Sequence, residues 1–218
     1  MLSRLAAVSV FFAAWFLVAG RVAWLHGWAF LSVFLILVLA LTWRLSRVDP
    51  GLLHERTQSA DKAEPWDRLV MRVYAVLLIV LMLTAALDSG RFRWSVVPPW
   101  AQAAGWTLLA LCAAVVWHVS VKNSYLSRYA RIQNDRGQVV VRDGAYEVIR
   151  HPMYLGIVLL FLGLPLVLNS WYSYGPSVVI IGLFVYRTHR EDQMLHEGLA
   201  GYADYAQDVR FRLIPGIW

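Results

Sequence analysis

The sequence predicts an all-α polytopic integral membrane protein with about six membrane segments, the last two forming a C-terminal helical hairpin. Three observations predict it. The 218-residue chain is 59% hydrophobic and 16% charged and carries 11 tryptophans, with a mean hydropathy of +0.53, a balance foreign to soluble globular domains. Its apolar runs approach the ~20 residues a helix needs to cross a hydrocarbon core of ~30 Å. Its basic residues cluster between those runs, as they do in the loops of membrane proteins.

The first apolar run, Leu5 to Ala19, follows Arg4 and has the form of a signal peptide's first half. Gly20-Arg-Val-Ala-Trp24 offers no clear small-residue cleavage site, and more apolar segments follow at once. A retained first span is therefore expected. The second runs from about Trp28 to Trp43, with an amphipathic indole at each end where the interface favours it. From Arg44 to Arg68 the chain is polar; Asp49-Pro50-Gly51 signals a turn and Pro65 restarts a helix. Charges of both signs alternate there, which predicts a solvated surface. Leu69 to Leu87 is the third span, with Arg72 snorkelling from its near end. Asp88 to Pro99 is a short connection, and Trp100 to Val121 the fourth span.

Lys122 to Arg150 is the longest polar stretch, and within it Arg131 to Val141 reads as a turn followed by a short extended segment. Tyr154 to Leu168 and Ser177 to Tyr186 then flank a turn at Trp171-Tyr-Ser-Tyr-Gly-Pro176. The pair is a tight hairpin whose second arm continues past Arg187 as a cytosolic helix. The tail, Gly201 to Trp218, is amphipathic and expected against the membrane surface. The chain thus divides into N-terminal transmembrane helices, 1–121, and a C-terminal region with the hairpin and tail, 122–218, which the resemblance given below makes the cofactor-binding catalytic region.

Charge sets the orientation. With the N-terminus inside, sixteen Lys and Arg fall on inner segments and three (Arg21, Arg91 and Arg93) on outer ones, so both termini are expected in the cytosol. A net charge of +6 is explained by those loops, and no nucleic-acid partner is expected. Cys112 is the only cysteine and lies in an apolar run. It permits no intramolecular disulfide, and thiolates cannot assemble a metal site.

Chemistry concentrates around Val139–Tyr154 and Arg187–Glu191. Gly144 permits a turn, Arg150 and His151 are polar, and Pro152 suits the first turn of a helix because its missing N–H has no partner there anyway. Arg187 and Glu191 are four apart and share a helix face. Taken singly, each of these residues has a bland reading: Arg150 and His151 as interfacial anchors, Tyr146 and Tyr154 as belt aromatics, Glu191 and Asp192 as surface. Neither a P-loop, nor G-x-G-x-x-G, nor His-Glu-x-x-His occurs, which excludes the common soluble nucleotide and zinc motifs.

Together, Gly144-Ala-Tyr146, Arg150-His-Pro-Met-Tyr154 and Arg187-Thr-His-Arg-Glu191 resemble the isoprenylcysteine carboxyl methyltransferase family of integral-membrane enzymes, in its bacterial branch. The resemblance extends through Gln133, Val139–Val141 and Gly201–Tyr205, over roughly 122–218. It implies S-adenosylmethionine bound at the cytosolic end of the last spans, in a bacterial inner membrane. By the resemblance, Gln133, Gln138, Val139, Val140, Val141, Tyr146, His151, Pro152, Met153, Tyr154 and Glu191 line the cofactor site. Arg187 faces the methyl acceptor, a lipid-like or prenylated molecule most readily methylated at a carboxylate. The chemistry agrees: Glu191 suits the ammonium of the donor and His151 its carboxylate, and an acceptor carboxylate held by Arg187 needs no general base. Phospholipid N-methyltransferases and membrane sterol reductases share related C-terminal signatures. An N-methyltransferase, a nicotinamide-dependent reductase and a non-catalytic scaffold are the alternatives.

Overall fold

A computed structural model describes residues 2–56 and 62–218, with side chains described from Ser9 onward. Arg4, part of the orientation argument, is among the residues whose side chains lie outside that description. The described residues are helical, without strands, and bear out the all-α polytopic class. The helices are α1 (Leu2–Ala19), α2 (Leu25–Val48), α3 (Pro50–Glu55), α4 (Pro65–Ala85), α5 (Pro99–Lys122), α6 (Pro152–Val167), α7 (Tyr174–Gly198) and α8 (Tyr202–Asp208). Among the described residues three helical stretches are long and apolar enough to cross a membrane: Leu25–Val48, Pro65–Phe92 and Pro99–Lys122. Ser9–Ala19 and Pro152–Val167 are shorter apolar helices.

The outer faces confirm the solvent these helices are built for. On α2, Leu35, Ile36, Leu37, Val38 and Leu39 are all exposed, a continuous apolar surface that soluble monomers do not carry. Inside, Trp15 of α1 is buried and its indole N–H donates to the Met82 carbonyl at 2.6 Å. Helices α5 and α6 meet through glycines. A Cβ on Gly105 would stand 2.7 Å from Leu166 Cβ, and one on Gly163 would stand 2.8 Å from the Gly105 carbonyl oxygen. Small residues are what let membrane helices approach this closely.

Two expectations are corrected here. Asp49-Pro50-Gly51 is not a plain turn: Asp49 caps α3, its carboxylate accepting from the Leu52 N–H at 2.8 Å with Pro50 in the first turn. The connection after α4 is not irregular throughout, because the helix continues as a wider π turn over Ala86–Phe92. There Asp88 is fully buried and accepts from Ser95 N, Ser95 Oγ and Ser170 Oγ at 2.8, 2.7 and 2.6 Å. Ser170 lies in the turn between α6 and α7, so this carboxylate ties the hairpin tip to α4. At the opposite end of α4, Asp67 is also fully buried. The hairpin is thus fastened to α4 at both ends by carboxylates.

Candidate active site

The end of the bundle that holds Asp67 is closed by irregular chain, and its conformation follows from a few local devices. Gly144 has a φ of +66°, which an L side chain resists, and it opens the short 3-10 turn Gly144–Glu147. That turn presents Tyr146, whose hydroxyl accepts from Asn123 Nδ2 at 2.7 Å and whose carbonyl accepts from Tyr205 Oη at 2.7 Å. Burial raises the Tyr146 phenol above its usual range. The C-terminal tail packs onto the entry to α6. Its Phe211 and Arg212 carbonyls accept from the Arg150 and His151 N–H groups, both at 2.9 Å. Tyr202 and Tyr205 line the site, and the chain beyond them is held against it because the backbone before α6 offers donors that must be satisfied.

Asp192, on α7, is the hub. It is 1% exposed. Its carboxylate accepts from Arg150 Nε and Nη2 at 2.8 and 3.1 Å, from Arg212 Nε at 2.8 Å and from Tyr202 Oη at 2.9 Å, and lies 3.2 Å from His151 Nε2. Burial alone would raise this carboxyl. The hydrogen bonds to His151, Arg150 and Arg212 outweigh it and hold the group well below the usual carboxylate range. One residue earlier, Glu191 is half-buried and accepts from the Tyr154 hydroxyl. The His151 and Tyr154 rings lie nearly parallel, 5.8 Å apart at 7°.

Arg187 does not pair with Glu191, the carboxylate sharing its helix face. It is buried and donates Nε and Nη2 to the two oxygens of Asp67 at 2.7 and 3.1 Å, with a further bond from Nη2 to the Arg128 carbonyl at 3.1 Å. Asp67 also accepts from the Ala130 N–H at 2.7 Å. The fork expected for an acceptor carboxylate is therefore already engaged, and among the described residues Nη1 is the guanidinium nitrogen left without a partner. A parallel two-bond pair with a buried carboxylate wins over a one-turn neighbour because it satisfies both desolvated charges at once.

These groups surround a cavity of about 430 Å³, within the usual size of small-molecule sites. Of the residues singled out from the sequence, Gln138, Val139, Val140, Val141, Tyr146, His151, Pro152, Met153, Tyr154, Arg187 and Glu191 line it. Gln133 does not. Its side chain is buried in the preceding loop, donating to the Tyr125 carbonyl at 2.6 Å and accepting from Arg136 at 2.7 Å. Met71 and Tyr74 of α4, Ile157 of α6 and Phe184 of α7 form an apolar side, whereas the loop and Glu191 form a polar one. Residues 100–200 match the phospholipid methyltransferase family model. No curated protein matches the chain. The matched family and the one resembled by the sequence motifs are branches of one superfamily of membrane methyltransferases. The match supports a membrane-embedded methyltransferase without selecting the isoprenylcysteine branch.

Several wall and hub residues escaped the sequence reading: Asp67, Asp192, Arg56 and Arg212. A signal existed for Asp67, an acid within the first turn of a helix that is apolar for the rest of its length. An ionisable residue at the start of a span calls for a partner. Asp192 carried no such signal, since an acid on a cytosolic helix is ordinarily solvated.

Proposed function

We propose that this protein transfers a methyl group from S-adenosylmethionine to an amphiphilic acceptor whose head group enters the cavity from the membrane side. One observation carries the reading: a single cavity joins a polar wall of loop residues and Glu191 to an apolar wall built by α4, α6 and α7. A water-soluble charged donor and a lipid-borne acceptor need such a meeting place. The donor set fits. Glu191 is the only carboxylate among the described lining residues and suits the donor's ammonium, while the phenols of Tyr146 and Tyr154 and the ring of His151 offer aromatic surface. When bound, S-adenosylmethionine supplies an electrophilic methyl group on a sulfonium. The protein's own part is to hold the two reactants in line and to keep water away, which the buried hub under the site and the tail across it achieve by restricting both walls.

Two accepting atoms are supported by different observations. A carboxylate, as in isoprenylcysteine-like acceptors, is favoured by the Nη1 of Arg187, which lines the cavity and has no hydrogen-bond partner there among the described residues. A phospholipid amine is favoured by the family match across 100–200; such an acceptor must lose its ammonium proton before it attacks. Purified protein incubated with radiolabelled methyl donor and either prenylcysteine analogues or phosphatidylethanolamine vesicles separates them. A methyl ester releases labelled methanol in alkali, whereas an N-methyl group stays with the lipid. Label in neither product would overturn the proposal.

A further inference from the structure

Five guanidiniums on one cavity wall raise the question of which of them are already neutralised. Arg187 is held by Asp67 and Arg150 by Asp192. Arg131 donates Nε and Nη2 to Glu55 at 3.0 and 2.8 Å and Nη1 to Asp135 at 2.9 Å. Arg128 has no carboxylate partner among the described residues, but it is exposed, so water screens its charge, and it lies over the ring of Tyr129, its guanidinium carbon 5.4 Å from the centroid.

Arg56 is different. It follows α3 directly, is half-buried, and donates Nη2 to Ser120 Oγ at 3.0 Å and Nε to the Leu126 carbonyl at 3.4 Å. Both acceptors are neutral, and among the described residues it has no carboxylate partner. Its chain neighbour Glu55 is committed to Arg131. Burial accordingly lowers the Arg56 guanidinium from its usual range, whereas Arg131, which burial also disfavours, is carried upward by Asp135 and Glu55. A partly desolvated cation that lines a cavity and has only neutral partners is set up to receive an anion.

Position indicates which anion. Arg56 is anchored at the C-terminal end of α5 and at the loop after it, which supplies the polar wall. Tyr146 lies within electrostatic range of both Arg56 and Glu191, so a cation and an anion flank one phenol. His151, the residue first expected to meet a carboxylate, has its Nε2 engaged by Asp192 and Tyr202. We propose that Arg56 is the anion anchor of this cavity and receives the α-carboxylate of the methyl donor's amino-acid portion, with Glu191 at its ammonium. The assignment rests on the methyl-donor reading above, and it places a binding residue in the N-terminal half, outside the stretch that matches the family.

Calorimetric titration of detergent-purified full-length protein tests it with two probes. One is S-adenosylhomocysteine, and the other is the same molecule lacking its carboxylate, an adenosyl thiopropylamine. Wild type should bind the first roughly tenfold or more tightly than the second, as expected for a charge-assisted hydrogen bond. In Arg56→Gln that preference should collapse to within about twofold, through loss of affinity for S-adenosylhomocysteine alone. The retained affinity for the amine probe is the control for an intact site. Arg56→Lys, which keeps the charge and loses the fork, should show an intermediate preference. An unchanged preference in Arg56→Gln, or equal losses for both probes, would overturn the assignment. So would intact S-adenosylhomocysteine binding with methyl transfer abolished, because the anchor would then belong to the acceptor. Failure of wild type to bind either probe would instead overturn the methyl-donor reading itself.

Discussion

Arg187 of α7 and Asp67 of α4, 120 residues apart in the chain, form a two-bond ion pair of 2.7 and 3.1 Å in which neither side chain is more than 5% exposed. Asp67 also holds the Ala130 N–H, and Arg187 also holds the Arg128 carbonyl. One pair therefore joins the first turn of α4, the C-terminal half of α7 and the loop that forms the polar cavity wall.

Breaking that pair from one side should be costly. Asp67→Asn leaves a buried guanidinium without its counter-ion, and a loss of about 3–5 kcal/mol is expected. Thermal unfolding of the purified variant measures it. Arg187→Lys should also lose stability, because an ammonium cannot reproduce two parallel bonds. A Lys variant with wild-type stability would show that the second bond contributes nothing.

Glu191→Gln should weaken binding of S-adenosylhomocysteine about tenfold or more, since the ammonium loses its only lining carboxylate. Arg187 stays paired to Asp67 in this variant, so the unfolding midpoint should change little. Calorimetry and thermal unfolding on one preparation separate the effects. Undiminished affinity would remove Glu191 from the donor site.

Asp192 gives a pH prediction. Because its folded carboxyl is held below the ordinary range, its stabilising contribution is complete above the unfolded value of about 3.9. That contribution is lost only as pH falls through a folded value well below that. Asp192→Asn, which strands two arginines around a neutral amide, should lose about 3–5 kcal/mol, and the gap from wild type should be the same at pH 5 as at pH 8. A gap that closes at pH 5 would mean that the wild-type carboxyl is already protonated there.

Membrane orientation is open to a direct test. Sixteen basic residues against three predict that both termini lie in the cytosol. Reporter fusions at Trp218 and within 122–150 should both report the inside, and a signal from the outside at either position would reverse the layout.

Hydropathy and local chemistry determined a good deal of this protein. The helices lie where the apolar runs lie, the turn after α6 falls where Trp171–Pro176 predicts it, and Gly144 and Pro152 shape the entry to α6 as their backbone preferences require. These are properties of contiguous residues, so one sequence displays them. Part of the cavity wall was legible for the same reason, since Gln138–Val141 and His151–Tyr154 are each short runs placed as a unit, whereas the lining loop Tyr125–Arg131 was not. Only the tertiary structure decided which charges meet. Helical spacing puts Arg187 beside Glu191, yet Arg187 turns to Asp67, His151 turns to Asp192, and Gln133 turns into its own loop. Glu55 turns to Arg131, and Arg56, one residue on, faces the cavity with Ser120 and the Leu126 carbonyl as its partners. A long side chain can reach partners from several helices, and a desolvated charge takes the one whose geometry offers two bonds in place of one. That selection depends on how α3, α4 and α7 are assembled around the loop after α5, and no local pattern in the chain records it.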